Sequence, residues 1–171
     1  MSPETIFRLH LVFGYVAWLL CFGAYIWPRL RAAEHLEAQR AIATLHSFRF
    51  FGLVFILPGV VSPDLPASFA GFAAWWDLAT GVLAMLALAT VRVRPLFWLF
   101  VVAFNVTGFV DLIVDNYDAI AINLGARAGE LGAAYAIPIL YVPLLMITHV
   151  AAFYLLARSV RAGRGAAAVA A

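Results

Sequence analysis

Lysine is absent from the sequence, cysteine occurs once, and charged residues of any kind are scarce. Charged side chains make up 12% of the chain and hydrophobic side chains 65%, whereas a soluble domain is about one quarter charged and about half apolar. The scarcity of charge excludes an ordinary water-soluble domain and predicts an integral membrane protein. The lone Cys21 excludes an internal disulfide and a CxxC metal site.

The motifs of familiar active sites are missing as well. The chain contains no GxxxxGKS/T, GxGxxG, HExxH or GxSxG sequence. No residue is therefore predicted to be catalytic or to bind a metal, any cofactor is unknown, and whether the chain is an enzyme stays open. The net charge of +2 does not indicate nucleic-acid binding, because the arginines are scattered among the connecting segments.

Long apolar runs are what the sequence has in abundance. A helix needs about 20 predominantly apolar residues to cross a membrane. Five segments have this length: residues 6–27, 42–61, 68–91, 95–117 and 135–157. We therefore predict an all-α fold, a polytopic membrane bundle of five transmembrane helices. It forms a single domain over residues 1–157, and residues 158–171 form a disordered cytoplasmic tail.

The arginines predict the orientation of this bundle. Most of them fall in the first and third links between spans and in the tail: Arg29, Arg31, Arg40, Arg92, Arg94 and Arg158. The opposite side holds Arg127 and, near the N-terminus, Arg8, and it also carries the acidic residues Asp64, Asp118 and Glu130. Because positively charged loops stay in the cytoplasm, we expect the N-terminus outside, the C-terminus in the cytoplasm, and a multi-pass position in a bacterial inner membrane.

Several polar side chains interrupt the apolar runs: His46, Arg49, Asp77, Asn105, Asp111 and His149. A charged group at mid-bilayer costs about 2.5–3.5 kcal/mol, so each such residue is a hypothesis for a functional site. Glycines lie within one turn of the charged residues, at Gly52, Gly81 and Gly108. Small residues allow close helix packing, or they leave room for a ligand.

Arg49 needs a negatively charged partner within this group of polar residues. It stays charged at any ordinary pH, so when buried it should pair with Asp77 or Asp111. Two acids for one arginine imply that one acid is protonated or that a histidine carries a second positive charge. Farther along the fourth span, we interpret Asp115 as a solvated residue at its end.

These residues predict a small membrane protein that binds or translocates a small ligand or protons. Arg49 would anchor an anionic group, and Tyr135 would guard the outer mouth. The predicted ligand-binding residues are His46, Arg49, Asp77, Asn105, Asp111, Tyr135 and His149. The expected partners are membrane lipid, a small-molecule ligand, and a second copy or a larger membrane complex, but not nucleic acid.

Other functions remain open. His46 and His149 could be the axial ligands of a b-type haem. The chain could be a membrane enzyme acting on a lipid or a quinone, with histidine and aspartate as acid and base. It could also be a non-catalytic accessory subunit, in which the buried polar residues only hold helices together.

Overall fold

The protein is described by a computed structural model that covers the backbone of residues 1–169 and the side chains of residues 1–159. The fold is all-α, as predicted. The α-helices are α1 (Pro3–Cys21), α2 (Trp27–Ala32), α3 (His35–His46), α4 (Ala67–Ala89), α5 (Arg94–Ala121) and α6 (Val142–Val169). Between them lie 3-10 helices at Ser47–Ile56 and Ala128–Tyr135 and π-helical turns at Phe22–Ile26 and Ile137–Tyr141.

Within the described residues, four helical stretches are long and apolar enough to cross a membrane: Pro3–Ala32, Ala67–Ala89, Arg94–Ala121 and Ile137–Ser159. They correspond to the first, third, fourth and fifth predicted spans and support a multi-pass membrane protein. The predicted second span, 42–61, is not among them. Its α-helix ends at His46, and the chain continues as a 3-10 helix.

The buried residues of the 3-10 helix that follows α3 match its geometry. Its buried residues, Arg49, Gly52 and Phe55, recur at every third position. A 3-10 helix has three residues per turn, so these positions form one straight face, whereas in an α-helix of 3.6 residues per turn they would spiral around the axis. Phe48 and Phe50 point away from this face and are exposed. The 3-10 geometry thus keeps Arg49 and Gly52 toward the interior together.

The π-helical turn that precedes α6 gives α1 its docking position. Pro143 has no N–H group to bond the carbonyl of Ile139. Gly14 of α1 lies so close to this carbonyl that a Cβ atom there would overlap it. Trp18 Nε1 donates a hydrogen bond of 2.8 Å to the neighbouring carbonyl of Leu140. The irregular turn therefore offers backbone oxygen atoms that α1 contacts.

A cap, which we define as residues 122–135, covers one end of the bundle. Near the start of the cap, the backbone of Asn123 adopts the left-handed conformation with φ 52°. The Ser62 amide donates a 2.7 Å hydrogen bond to the Glu130 carbonyl, which ties the cap to the link before α4. Gly132 has φ 51°, and a Cβ there would overlap the Val60 carbonyl. Glycine is thus required by both the conformation and the close approach.

Buried apolar side chains form two separate cores near the two ends of the bundle. The first core includes Leu30, Ala38, Ala87, Phe97 and Leu155. The second core includes Phe7, Phe69, Leu124, Leu131 and Ile137 and lies under the cap. The buried polar residues around Arg49 lie between the two cores, whereas Gln39 is buried within the first core, where it donates to the Ala152 carbonyl.

The predicted tail, 158–171, begins within α6, which runs to Val169. Residues 170–171 lie outside the described residues. The disorder and the cytoplasmic position expected of this tail stay predictions.

Candidate functional site

Arg49 is the centre of the buried polar cluster, and its side chain is fully buried. Its Nε donates to Asp77 Oδ1 at 2.6 Å. Its Nη2 lies 2.5 Å from the same oxygen and also donates to Asp111 Oδ2. Its Nη1 faces the Gly108 carbonyl at 3.2 Å and His149 Nε2 at 3.3 Å. The prediction that Arg49 pairs with Asp77 or Asp111 is confirmed, because it contacts both.

This arrangement uses the whole guanidinium group. Arginine has five N–H donors and no acceptor, and each donor of Arg49 faces an oxygen or nitrogen atom of the protein. Arg49 therefore organises the cluster from within. The role of anchoring an anionic group of a ligand stays a prediction.

Side chains of the cluster fill the space beside two of the glycines that neighbour the charged residues. A Cβ at Gly108 would lie 2.5 Å from Arg49 Nη1 and 2.7 Å from His149 Nε2. A Cβ at Gly52 would overlap the carboxylate of Asp77. Of the two reasons considered for small residues here, close packing applies, because polar side chains occupy the space beside Gly52 and Gly108 and the backbone at Phe50 occupies the space beside Gly81.

Hydrogen bonding assigns His149 a neutral tautomer. Asn105 Nδ2 donates to the Val101 carbonyl at 2.8 Å, which orients Asn105 Oδ1 as the acceptor. His149 Nδ1 lies 3.0 Å from this oxygen and must donate to it. His149 Nε2 then accepts from Arg49. A proton on that nitrogen would face an arginine N–H, so His149 does not supply a second positive charge.

His46 is held in the same way from α6. The Thr148 hydroxyl donates to the carbonyls of Leu144 and Leu145 at 2.9 and 3.0 Å, so its oxygen accepts from His46 Nε2 at 3.0 Å. His46 Nδ1 is buried without a hydrogen-bond partner among the described residues. His46 is thus held by a hydrogen bond to Thr148, and His149 by hydrogen bonds to Asn105 and Arg49.

The two histidines do not fit the axial positions of a haem. Their ring centroids are 4.1 Å apart, and the rings contact each other directly. Axial ligands lie on opposite faces of the macrocycle with the iron between them. There is no space for a porphyrin between His46 and His149. Within the described chain, there is also no group of three or more His, Cys, Asp or Glu residues arranged to hold a metal ion.

A cavity of about 340 Å³ lies between the cluster and the cap. Most of its walls are apolar, and its charged lining residues are Glu4, Arg8, Asp77 and Asp115. Asp77 is the point at which the cavity reaches the Arg49 cluster. Ligand pockets are about 300–1,000 Å³ and are mostly apolar with a few polar groups. The cavity has the size and the lining of a site for a small amphipathic molecule.

The prediction that Asp115 is solvated is wrong. It was expected to be solvated at the end of the fourth span, but α5 continues to Ala121 and the cap covers this region. Asp115 lines the cavity, and its Oδ1 is buried with no hydrogen-bond partner in the described part of the chain. The signal was present in the sequence, because Asp111 and Asp115 are four residues apart and share a helix face.

The structure brings most of the predicted residues together. His46, Arg49, Asp77, Asn105, Asp111 and His149 are all buried in one connected group, which confirms a shared interior. Tyr135 lies elsewhere. Its hydroxyl contacts His10 Nδ1 at 2.9 Å, and its ring packs edge-on against Phe7. A role in ligand binding stays a prediction for all of these residues.

Comparison with known proteins identifies a family whose function is unknown. Neither the curated proteins nor the solved structures include a significant match. Residues 6–157 match the model of a family described as "Domain of unknown function (DUF8737)". This match covers all the helices of the bundle except the ends of the first and the last. The chain belongs to this family.

Proposed function

We propose that this protein binds a small amphipathic ligand in the cavity under the cap. The observation that carries the proposal is the position of the cavity: apolar walls rise above a floor at Asp77, and this floor is fixed by Arg49. A polar floor held rigid by hydrogen bonds would orient a ligand head group, and the apolar walls would hold its body.

Binding is favoured over passage through the bundle. The cluster beneath the cavity is closed, since every donor of Arg49 is used by the protein. Beyond it lies the first apolar core, with Ala87, Phe97 and Phe104 buried. A polar solute or a proton leaving the cavity inward would meet the fixed charge of Arg49 and then this core. We therefore assign the cluster a supporting role and the cavity the ligand.

The orientation of the bundle is part of the proposal. Arginine-bearing links lie near the first core, and the cap end carries Asp64 and Glu130. The positive-inside rule then puts the cap and the N-terminus outside and the C-terminus in the cytoplasm of a bacterial inner membrane. The cavity would open toward the outer half of the membrane.

A fifth crossing fits the dimensions of the second predicted span. Helix α3 has 12 residues and the following 3-10 helix has 10. At about 1.5 Å and about 2.0 Å per residue they extend roughly 38 Å together. The hydrocarbon core is about 30 Å thick. We propose that this composite helix crosses the membrane with Arg49 near its middle.

A cavity-filling variant tests the proposal. Ala119 lines the cavity, and Ala119→Phe would fill it, whereas Ala121→Phe adds the same ring at an exposed position outside the cavity on the same helix. A ligand at one hundred times its Kd stabilises a protein by about 2.7 kcal/mol. Short amphiphiles should raise the thermal unfolding midpoint of the wild type and of Ala121→Phe in nanodiscs. Equal stabilisation of Ala119→Phe would place binding outside the cavity and refute the proposal.

A further inference from the structure

We infer that the ligand of this cavity carries a cationic head group, an organic ammonium in contact with Asp115; this inference rests on the proposed function. It goes beyond binding in general because it names the charge of the ligand and the residue that recognises it.

The interior of the bundle holds more carboxyl groups than positive charges. Arg49 contributes the one positive charge of the cluster, against the carboxyl groups of Asp77 and Asp111 and, one turn farther along α5, Asp115. His149 is neutral by its hydrogen bonds. Glu4 and Arg8 also line the cavity, but they pair with each other at 2.5 Å and cancel. Three carboxyl groups therefore share one fixed positive charge, and a buried charge needs a partner. The surplus acids either bind protons or meet a positive group of the ligand, and Asp115 is placed to meet the ligand because it lines the cavity.

Two carboxylate oxygens near the cavity have no hydrogen-bond donor among the described residues. Asp111 Oδ1 is buried without a partner among the described residues, in a residue that is 1% exposed. Asp115 is half-buried, but its Oδ1 is also buried without a partner among the described residues, one turn nearer the cavity, and Asp115 lines the cavity itself. Arg49 has no further donor to give to either oxygen. An ammonium group has N–H donors and a positive charge, so it meets both needs of Asp115.

Aromatic side chains also line the cavity. Phe7, Phe55 and Phe69 are among the residues that face the cavity. Aromatic faces attract cations and also accept the apolar body of an amphiphile. An anionic head group would face Asp77 and Asp115 with only Arg8, already paired to Glu4, as a cation. The lining therefore discriminates between the two signs of charge.

Three probes with the same tail test the inference: octylammonium, octanol and octanoate. Each is titrated against the full chain in nanodiscs, and binding is measured as stabilisation that Ala119→Phe abolishes. Octylammonium should bind most tightly. Asp115→Asn should reduce its affinity about tenfold to a hundredfold, which corresponds to loss of a charge-assisted hydrogen bond. Asp118→Asn, on the same helix but outside the lining, should bind octylammonium like the wild type.

The outcomes separate this inference from the proposed function. Equal binding of all three probes, abolished by Ala119→Phe, would keep the cavity as a binding site and overturn its preference for cations. Tighter binding of octanoate, or unchanged binding of octylammonium to Asp115→Asn, would also overturn that preference. No cavity-dependent binding of any probe would refute the proposed function and the inference with it.

Discussion

Replacing Arg49 with methionine should be among the most damaging single changes in the bundle. Arg49→Met keeps an unbranched side chain but removes every N–H group that now donates a hydrogen bond to Asp77, Asp111, Gly108 and His149. Removing one partner of a buried ion pair typically costs about 3–5 kcal/mol. The loss at Arg49 belongs at the upper end of this range, because its side chain is fully buried and it contacts two carboxylates.

A compensating variant gives this prediction its specificity. When a whole buried ion network is replaced by neutral residues, stability is often kept. Arg49→Met combined with Asp77→Asn and Asp111→Asn should therefore recover most of the free energy of unfolding that Arg49→Met loses. The recovery would show that the damage comes from unpaired carboxylates and not from the changed shape of the side chain.

The assay is the free energy of unfolding in mixed micelles, with Arg40→Met as the matched control. Arg40 pairs with Glu37 at 2.7 Å, but these side chains are 43% and 51% exposed, and exposed pairs contribute little. Its loss should be small. A loss below about 1 kcal/mol for Arg49→Met, or a triple variant no more stable than the single one, would refute the reasoning.

Two further predictions concern packing and topology. Gly108→Ala should destabilise the protein by about 1–3 kcal/mol through overpacking, because the added methyl group overlaps Arg49. The control Gly71→Ala, whose methyl group meets open space, should leave the stability unchanged. Equal thermal unfolding midpoints of the two variants would contradict the prediction. On a background without the native cysteine, an impermeant thiol reagent should label Ser62→Cys but not Thr90→Cys in intact cells. Labelling of the second alone would reverse the proposed orientation.

The buried polar cluster could be predicted from the sequence because membranes penalise charge wherever it lies. Arg49, Asp77 and Asp111 interrupt otherwise apolar runs, so they had to face an interior and each other. The glycines at 52 and 108 were recognised as companions of these charges, but the sequence left two reasons for them. Only the positions of the neighbouring atoms decide that Gly108 is needed to admit Arg49 and His149.

The shape of the second span could not be predicted by treating it as an α-helix. The residues before and after Arg49 are apolar, so this segment has little amphipathic periodicity. In addition, buried residues spaced three apart fit a short stretch of either an α-helix or a 3-10 helix. The 3-10 helix follows from the match of Arg49, Gly52 and Phe55 to facing groups on other helices. Such long-range contacts are not encoded in local propensity.

The cavity was missed for a related reason. Asp115 lies in a run of polar residues that resembles a solvated helix end, and the cap that covers it comes from a segment of small residues with little periodicity. Its attachment depends on single contacts, such as the Ser62 amide with the Glu130 carbonyl. The spacing of Asp111 and Asp115 was the one local signal that joined the two acids.

The most direct test of the account is a crystal structure of the full chain with 8-bromo-octylammonium. We expect an anomalous bromine peak among the apolar residues of the cavity and the ammonium nitrogen in contact with Asp115, with Arg49 still bound to Asp77 and Asp111. A bromine peak only at the lipid-facing surface would contradict it. An Arg49 side chain turned from the acids toward the ligand would contradict the claim that the cluster is closed.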